Sequence, residues 1–409
     1  MTRDPGYYRL LPWMVICFFF NSILLPEGLL YTTLLTPVMV YLLFRYRVNA
    51  PSPAWLILLA LPLPVQWLRG VDPPTFFLSS LLTLTAFLFL MTASLLIARY
   101  RTAVPALFRT LLLINAMLVF LALITWPVPW VRETLWYSVP LTAGVESITR
   151  LRLFTYEPSY YGLLMMPVFL YFLIRLASGM EKHPLMVAAA CLVPLLLSLS
   201  FGIIGALALA TLLAIPFYLR YLPLQSRRIL LYALVSTGVV TVVTALAWPE
   251  NPVFVRVANI FGGRDTSAMG RLVYSFMFAR DLAEGHGWLF GIGPGQIKVL
   301  AHDLIVNHYR YHGEVAETVR IPNAMAEMLA TFGVYGFALK LFFEAWFFVK
   351  RKIYRNLYAC ILFLFLFIYQ FTGSFIVNIA ELAGWVFVFS SRFPEFDIPK
   401  VPPGKEVDQ

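Results

Sequence analysis

Apolar runs of roughly 20 residues recur along almost the whole chain, and this pattern restricts the fold more than any other feature. A run of that length is what a helix needs to cross the hydrocarbon core of a bilayer, where backbone polar groups must be satisfied within the protein. Twelve spans are read, at approximately 10–25, 28–44, 54–69, 76–98, 106–125, 159–177, 185–200, 203–219, 229–247, 322–349, 353–372 and 375–391. The seventh and eighth are separated by a very tight turn near Phe201 and Gly202. The expected fold is therefore all-α: one polytopic membrane domain over residues 1–391, followed by a cytoplasmic tail over 392–409.

Composition supports the same class. Only 13% of the residues are charged and 60% are hydrophobic, against about 25% charged residues in a soluble globular protein. Disorder, a collagen-like repeat, a disulfide scaffold and an ordinary soluble enzyme are all excluded on that ground. The three cysteines, Cys17, Cys191 and Cys360, each sit inside an apolar run and read as small buried hydrophobes. The first apolar run lacks a small-residue cleavage site and a second follows at once, so no cleavable signal peptide is read there.

The net charge of +10 raises the possibility of nucleic acid, but its distribution argues against it. Basic residues cluster at the ends of apolar runs, and 18 of the 31 Lys and Arg fall on one side of the twelve-span arrangement. Because short connectors rich in positive charge stay in the cytoplasm, both termini are expected there. Ten of the eleven basic residues on the opposite side, all but Arg69, lie in two long connectors at about 126–158 and 248–321. A chain that spends its few polar residues on two loops of one face is expected to build a site there.

The first loop closes with Arg150, Arg152, Tyr156, Glu157, Pro158 and Ser159. In an extended segment Arg150 and Arg152 would point the same way. Glu157 precedes a proline that opens a span; an acid at that position is favourable on helix-dipole grounds alone, and is also placed to act as a base. The second loop carries Gly262-Gly263-Arg264, Gly270-Arg271, a helical run and then Gly291-Ile292-Gly293-Pro294-Gly295. Its glycines permit close backbone approach, and its arginines offer forked donors for phosphate oxygens. It lacks the lysine and the strand–helix context of a nucleotide-binding loop. Four of the five histidines, His286, His302, His308 and His312, lie in this loop without a zinc-ligand pattern, so no metal is expected. Asn323 and Glu327 share a helix face at the outer end of the tenth span. Glu327 lies about one turn inside the apolar run, where an ionisable residue faces either a neighbouring helix or a site. Ser198, Gly202, Ala206 and Ala210 form a small-residue stripe suited to helix packing.

In this order, Ser267-Ala268-Met269-Gly270-Arg271, Trp288-Leu289-Phe290-Gly291-Ile292-Gly293 and the segment from Asn323 to Gly336 resemble the O-antigen ligase and polymerase superfamily of membrane glycosyltransferases. The similarity covers about the last third of the membrane domain. Two departures separate the chain from the ligases: Pro322-Asn323 stands where they have His-Asn, and Ser200-Phe201-Gly202 stands where they have Ser-Arg-Gly. Tyr156-Glu157-Pro158-Ser159 and the Leu-Ser-Leu-Ser-Phe-Gly run look instead like Wzy-type polymerases of O-antigen, capsule or exopolysaccharide repeats.

The resemblance implies a GT-C-like bundle in the bacterial inner membrane, with its active site on the external face. It implies undecaprenyl-pyrophosphate-linked oligosaccharides as substrates, no cofactor, and a flippase and a chain-length regulator as partners. Arg152, Arg264 and Arg271, with Arg150 behind them, are the expected pyrophosphate ligands. Glu157 is the expected base with His312 in reserve, and Tyr156, Tyr160, Asn323 and Glu327 are expected to meet the glycan. A ligase that moves polymer to a lipid or protein acceptor is the alternative in the same class. A lipid-linked oligosaccharide transporter is the alternative in another class, although no internal repeat is found.

Overall fold

The computed structural model describes residues 5–21, 25, 29–47, 53–140, 147–218, 243–244, 246–248, 250–309 and 319–398. The first part of the chain forms α1 (Pro5–Phe19), α2 (Tyr31–Leu34), α3 (Thr36–Arg45), α4 (Pro53–Ala60), α5 (Pro62–Leu68), α6 (Pro73–Arg99), α7 (Val104–Ile124) and α8 (Pro129–Leu135). A hairpin of β1 (Trp136–Pro140) and β2 (Ser147–Leu151) leads to α9 (Pro158–Ala177), α10 (Pro184–Ser198) and α11 (Phe201–Tyr218). The later part forms α12 (Pro252–Phe261), α13 (Thr266–Met269), a π-helical turn over Gly270–Tyr274, α14 (Ser275–His286), α15 (Ile297–Leu300), α16 (His302–Tyr309), α17 (Ala324–Lys350), α18 (Leu357–Tyr369) and α19 (Ile379–Ser390).

Prolines and side-chain caps set these boundaries. Pro129, Pro158 and Pro184 each sit in the first turn of a helix, where a missing N–H costs nothing. Asp72, Asn323, Asn356 and Asn378 cap the helices that follow them by accepting hydrogen bonds from backbone amides.

The protein is mostly helical, and among the described residues four helical segments are long and apolar enough to cross a membrane: Pro73–Arg99, Arg101–Ile124, Pro158–Ala177 and Ala324–Lys350. Large apolar side chains face outward along α6 and α7, among them Phe77, Leu81, Leu113, Met117 and Phe120. Such surfaces are suited to lipid rather than water. At the centre is α9, buried nearly all round and packed against α7, α10, α18 and α19.

Eleven of the twelve expected spans coincide with helical segments, but three are not continuous helices, the tenth being broken at Gly333 within α17. The second divides into α2 and α3 at Leu35, and the third into α4 and α5 at Leu61. A proline opens the second half of each pair, Pro37 and Pro62, and lacks the N–H that would carry the helix through. The ninth, 229–247, lies almost entirely outside the described residues. Between α10 and α11 the chain breaks at Leu199, which adopts a left-handed conformation, rather than at Phe201. After α19 ends at Ser390 the chain stays against the bundle. Phe393 and Phe396 are buried against Tyr171 and Tyr358, and the 392 side chain is tied to Asp397 at 2.9 Å.

Candidate functional site

A cavity of about 740 Å³ opens where the two long connectors meet the ends of the central helices. Its walls come from the hairpin (Tyr137, Arg150), the first turn of α9 (Glu157 to Ser159) and the α10–α11 break (Leu199 to Gly202). The second connector adds Arg256, Thr266, Ser267, Arg271 and Tyr309, and the approach to α17 adds Arg320 and Pro322. Among the described residues, four guanidinium groups thus surround a space lined by one carboxylate, Glu157.

Each arginine is fixed by its own element. Arg150 stands opposite Tyr137 in the antiparallel register, with its guanidinium carbon 5.4 Å from the Tyr137 ring centroid. Its Nε is buried without a hydrogen-bond partner. Arg256 projects from α12 over the Phe201 ring at 4.8 Å and lies 3.2 Å from Asp265, which is buried and also caps α13 through Ala268 N–H. Arg271 leaves the π-helical turn, an element that widens the helix locally and recurs at functional sites. Arg320 lies over the Phe375 ring at 4.9 Å. Burial and then the like charge of Arg256 push the Arg150 guanidinium below its ordinary value, against the opposing pull of Tyr137 and Glu157. Burial also lowers Arg256, with Asp265 opposing and Arg271 adding to the shift. Cations that repel one another in a partly enclosed space favour an anion there.

Glu157 occupies the cap position of α9, but its side chain makes no capping hydrogen bond to the helix. It accepts instead from the Ser159 hydroxyl and faces the cavity. The helix-end reading rests on the dipole of α9, which needs no such hydrogen bond, and it stands beside the cavity role.

Of the residues expected at the site, Arg150, Arg271 and Glu157 are brought together and several others are not. Arg152 stays on the same side as Arg150, with its guanidinium carbon 5.8 Å from the Tyr137 ring centroid, but it lies outside the cavity walls. Arg152 instead donates to the carbonyls of Glu133 (2.8 Å), Thr134 (3.2 Å) and Tyr156 (3.3 Å), tying the end of α8 to the approach to α9. Arg264 is exposed and outside the cavity walls. Tyr160 is buried in α9 and accepts from Asn21 at 3.2 Å, while Tyr156 is exposed beside it, outside the walls. Asn323 is a structural junction. Its Oδ1 caps α17 through Met325 and Ala326, and its Nδ2 donates to the carbonyls of Arg271 (2.7 Å) and Phe371 (2.6 Å). Glu327 accepts from Ile376 N–H at 2.8 Å and also lies outside the walls. His312 lies outside the described residues.

The glycine-rich segment serves packing. Gly291, Gly293 and Gly295 all have positive φ. The segment inserts where α17 is broken at Gly333, and Ile292 and Gly293 donate to the carbonyls of Ala330 and Thr331, each at 2.9 Å. A Cβ on Gly291 would lie 2.5 Å from the Ala330 oxygen, so the close backbone approach anticipated from the sequence is to α17 and not to a phosphate.

Arg256, Arg320 and Tyr137 were missed by sequence reasoning. Arg256 carried a usable signal as the only charge in the apolar stretch Pro252–Phe261. Tyr137 carried none, because its role depends on a hairpin partner in the same loop.

No known family model matches this chain, and no curated protein matches it.

Proposed function

We propose that the chain is a polysaccharide polymerase: a membrane glycosyltransferase that moves a glycan from polyprenyl pyrophosphate to a sugar hydroxyl of another lipid-linked repeat. The observation that carries this reading is the single cavity that gathers Arg150, Arg256, Arg271 and Arg320 around Glu157 at the mouth of α9. The reaction needs both kinds of group. The acceptor hydroxyl attacks the anomeric carbon and gives its proton to Glu157, while the bond to the pyrophosphate oxygen breaks. The arginines stabilise the negative charge that develops on the departing pyrophosphate.

In this reading the twelve-span, GT-C-like bundle lies in the bacterial inner membrane with both termini in the cytoplasm, so the cavity opens on the external side. A flippase supplies the lipid-linked repeats, and a chain-length regulator is the expected partner. The ligase alternative is less well supported, because Pro322-Asn323 provides no histidine at the head of α17.

Deleting the protein in its host tests the proposal. Single lipid-linked repeats are expected to accumulate while polymer disappears, and the purified protein in nanodiscs should convert those repeats into a ladder. Normal polymer still on its lipid carrier, with only its attachment to a final acceptor missing, would replace the proposal with the ligase reading.

A further inference from the structure

A second feature lies at the far end of α6. The first turn of α6 meets the glycine-rich segment through Gln296, whose side chain accepts from Asp72 N–H at 2.9 Å. At 1.5 Å per residue, a 27-residue helix carries its last turn about 40 Å away. There, three separate segments carry arginines: Arg9 on α1, Arg45 and Arg47 at the end of α3, Arg99 closing α6 and Arg101 just after it. All five are exposed, and none forms an ion pair among the described residues. Two tyrosines organise Arg9 and Arg99, while Arg45 donates to Tyr41. Arg9 donates to the Tyr100 hydroxyl at 2.9 Å, Tyr100 and Tyr46 hydroxyls lie 3.5 Å apart, and the Arg99 guanidinium lies 4.7 Å over the Tyr46 ring.

Directly beside this cluster begins a narrow, almost wholly apolar slot between α1, α3, α6 and α19. Leu10 follows Arg9 into it, and Leu96 and Ile97 precede Arg99. Thr92, about two turns below Arg99, also lines the slot, and its buried hydroxyl has no hydrogen-bond partner among the described residues. Membrane orientation by positive charge requires arginines in these connectors. It does not require two of them to meet on paired tyrosines at the head of an apolar slot.

We propose that this end of the bundle binds one anionic phospholipid. Arg9 and Arg99, with the Tyr46 and Tyr100 hydroxyls, hold its phosphate, and one acyl chain enters the slot past Thr92. Charge selects an anionic headgroup over a zwitterionic one, and the slot selects a lipid over a free phosphate. The site is separate from the arginine cavity and does not depend on the reaction proposed there.

Native mass spectrometry of the delipidated full chain in detergent tests this with phosphatidylglycerol, phosphatidylcholine and glycerol phosphate as probes. One phosphatidylglycerol is expected to bind in preference to phosphatidylcholine, with glycerol phosphate a poor competitor. At roughly fivefold per surface charge, the double variant Arg9→Gln/Arg99→Gln should weaken binding on the order of 30-fold, and the corresponding double lysine variant should retain most of it. Ala93→Trp, which narrows the slot and leaves every charge in place, should weaken phosphatidylglycerol binding as well. Equal binding of the two lipids by the wild-type chain overturns the proposal without any variant having to fold. Undiminished binding by the double glutamine variant or by Ala93→Trp, or full competition by glycerol phosphate, also overturns it.

Discussion

In the helical bundle Lys340 lies 2.8 Å from Glu344 and 3.8 Å from Glu381, while Gln370 donates to Glu344 and Trp385 donates to Glu381. In the cavity, Arg150, Arg271 and Arg320 form no ion pair among the described residues, and the Arg150 Nε is buried without an acceptor. Lys340 with its acids, and Arg150 and Arg256 in the cavity, hold charge in poorly solvated surroundings, where an uncompensated ion is costly, whereas Arg320 is exposed. The bundle cluster offsets its charges among its own members, one cation between two carboxylates, although Gln370 Oε1 and Glu381 Oε2 stay buried without hydrogen-bond partners among the described residues. The cavity leaves its cations beside an open space of about 740 Å³, which an anionic ligand can fill. The difference separates charge kept for architecture from charge kept for a ligand, and substitutions in the two groups should fail in different ways.

The largest effect is expected at Glu157. Glu157→Gln preserves shape and the contact with Ser159 but cannot take a proton, so turnover should fall by about 10²–10⁴-fold with donor binding retained. Single-turnover assays with a lipid-linked repeat, run beside a donor-binding measurement, check this. A loss of only a few-fold would assign the carboxylate to the end of α9.

Next come the cavity arginines. Arg150→Ala, Arg256→Ala and Arg271→Ala should each reduce polymer formation by about 10²–10³-fold, the usual cost of removing one group that stabilises developing charge. The amount of protein in the membrane should not change. Lysine at position 271 keeps the charge but loses the planar fork, so it should rescue only partly. Loss of the Arg256 variant from the membrane would instead mark its pairing with Asp265 as structural.

The bundle cluster should behave in the opposite way. Lys340→Met leaves Glu344 and Glu381 without their cation and should destabilise the protein by about 3–5 kcal/mol, the range for breaking a buried pair from one side. Thermal unfolding in detergent measures this. The double variant Lys340→Met/Glu344→Gln should recover part of the loss because it removes one stranded charge. Full stability of the single variant would show that the cluster is not held together by Lys340.

Most helix positions were legible in the sequence because length and hydropathy alone define them, with proline and asparagine marking where helices begin. The site was legible in part. Glu157, Arg150 and Arg271 stand out as polar residues on loops that adjoin apolar spans. Chain geometry decides the rest. Arg152 differs from Arg150 by two positions, yet it donates to backbone carbonyls outside the cavity walls. Asn323 reads as a polar residue on a helix face, but its amide joins the Arg271 carbonyl to the head of α17. The glycines at 291, 293 and 295 indicate close approach without saying to what; the broken α17 beside Gly291 and the start of α6 beside Gly295 are visible only in three dimensions.

The smallest effect is expected at Arg264, and it tests whether position in the cavity or position in the sequence pattern decides function. The sequence gives Arg264 every outward mark of a phosphate ligand: a loop arginine after two glycines, seven residues ahead of Arg271. The fold removes it from contention. Its backbone N–H donates to the Asn259 carbonyl at 2.7 Å as α12 ends, and its side chain is exposed outside the walls. Arg256, eight residues earlier, enters the cavity from the same helix. Arg264→Ala should therefore alter polymer yield by no more than about twofold, as for a surface substitution within about 0.5 kcal/mol of neutral. Comparing polymer from Arg256→Ala and Arg264→Ala at matched protein levels isolates the question. If Arg264→Ala is the inactive one and Arg256→Ala is normal, the anion binds on the outer side of the connector, and the cavity is not where the pyrophosphate leaves.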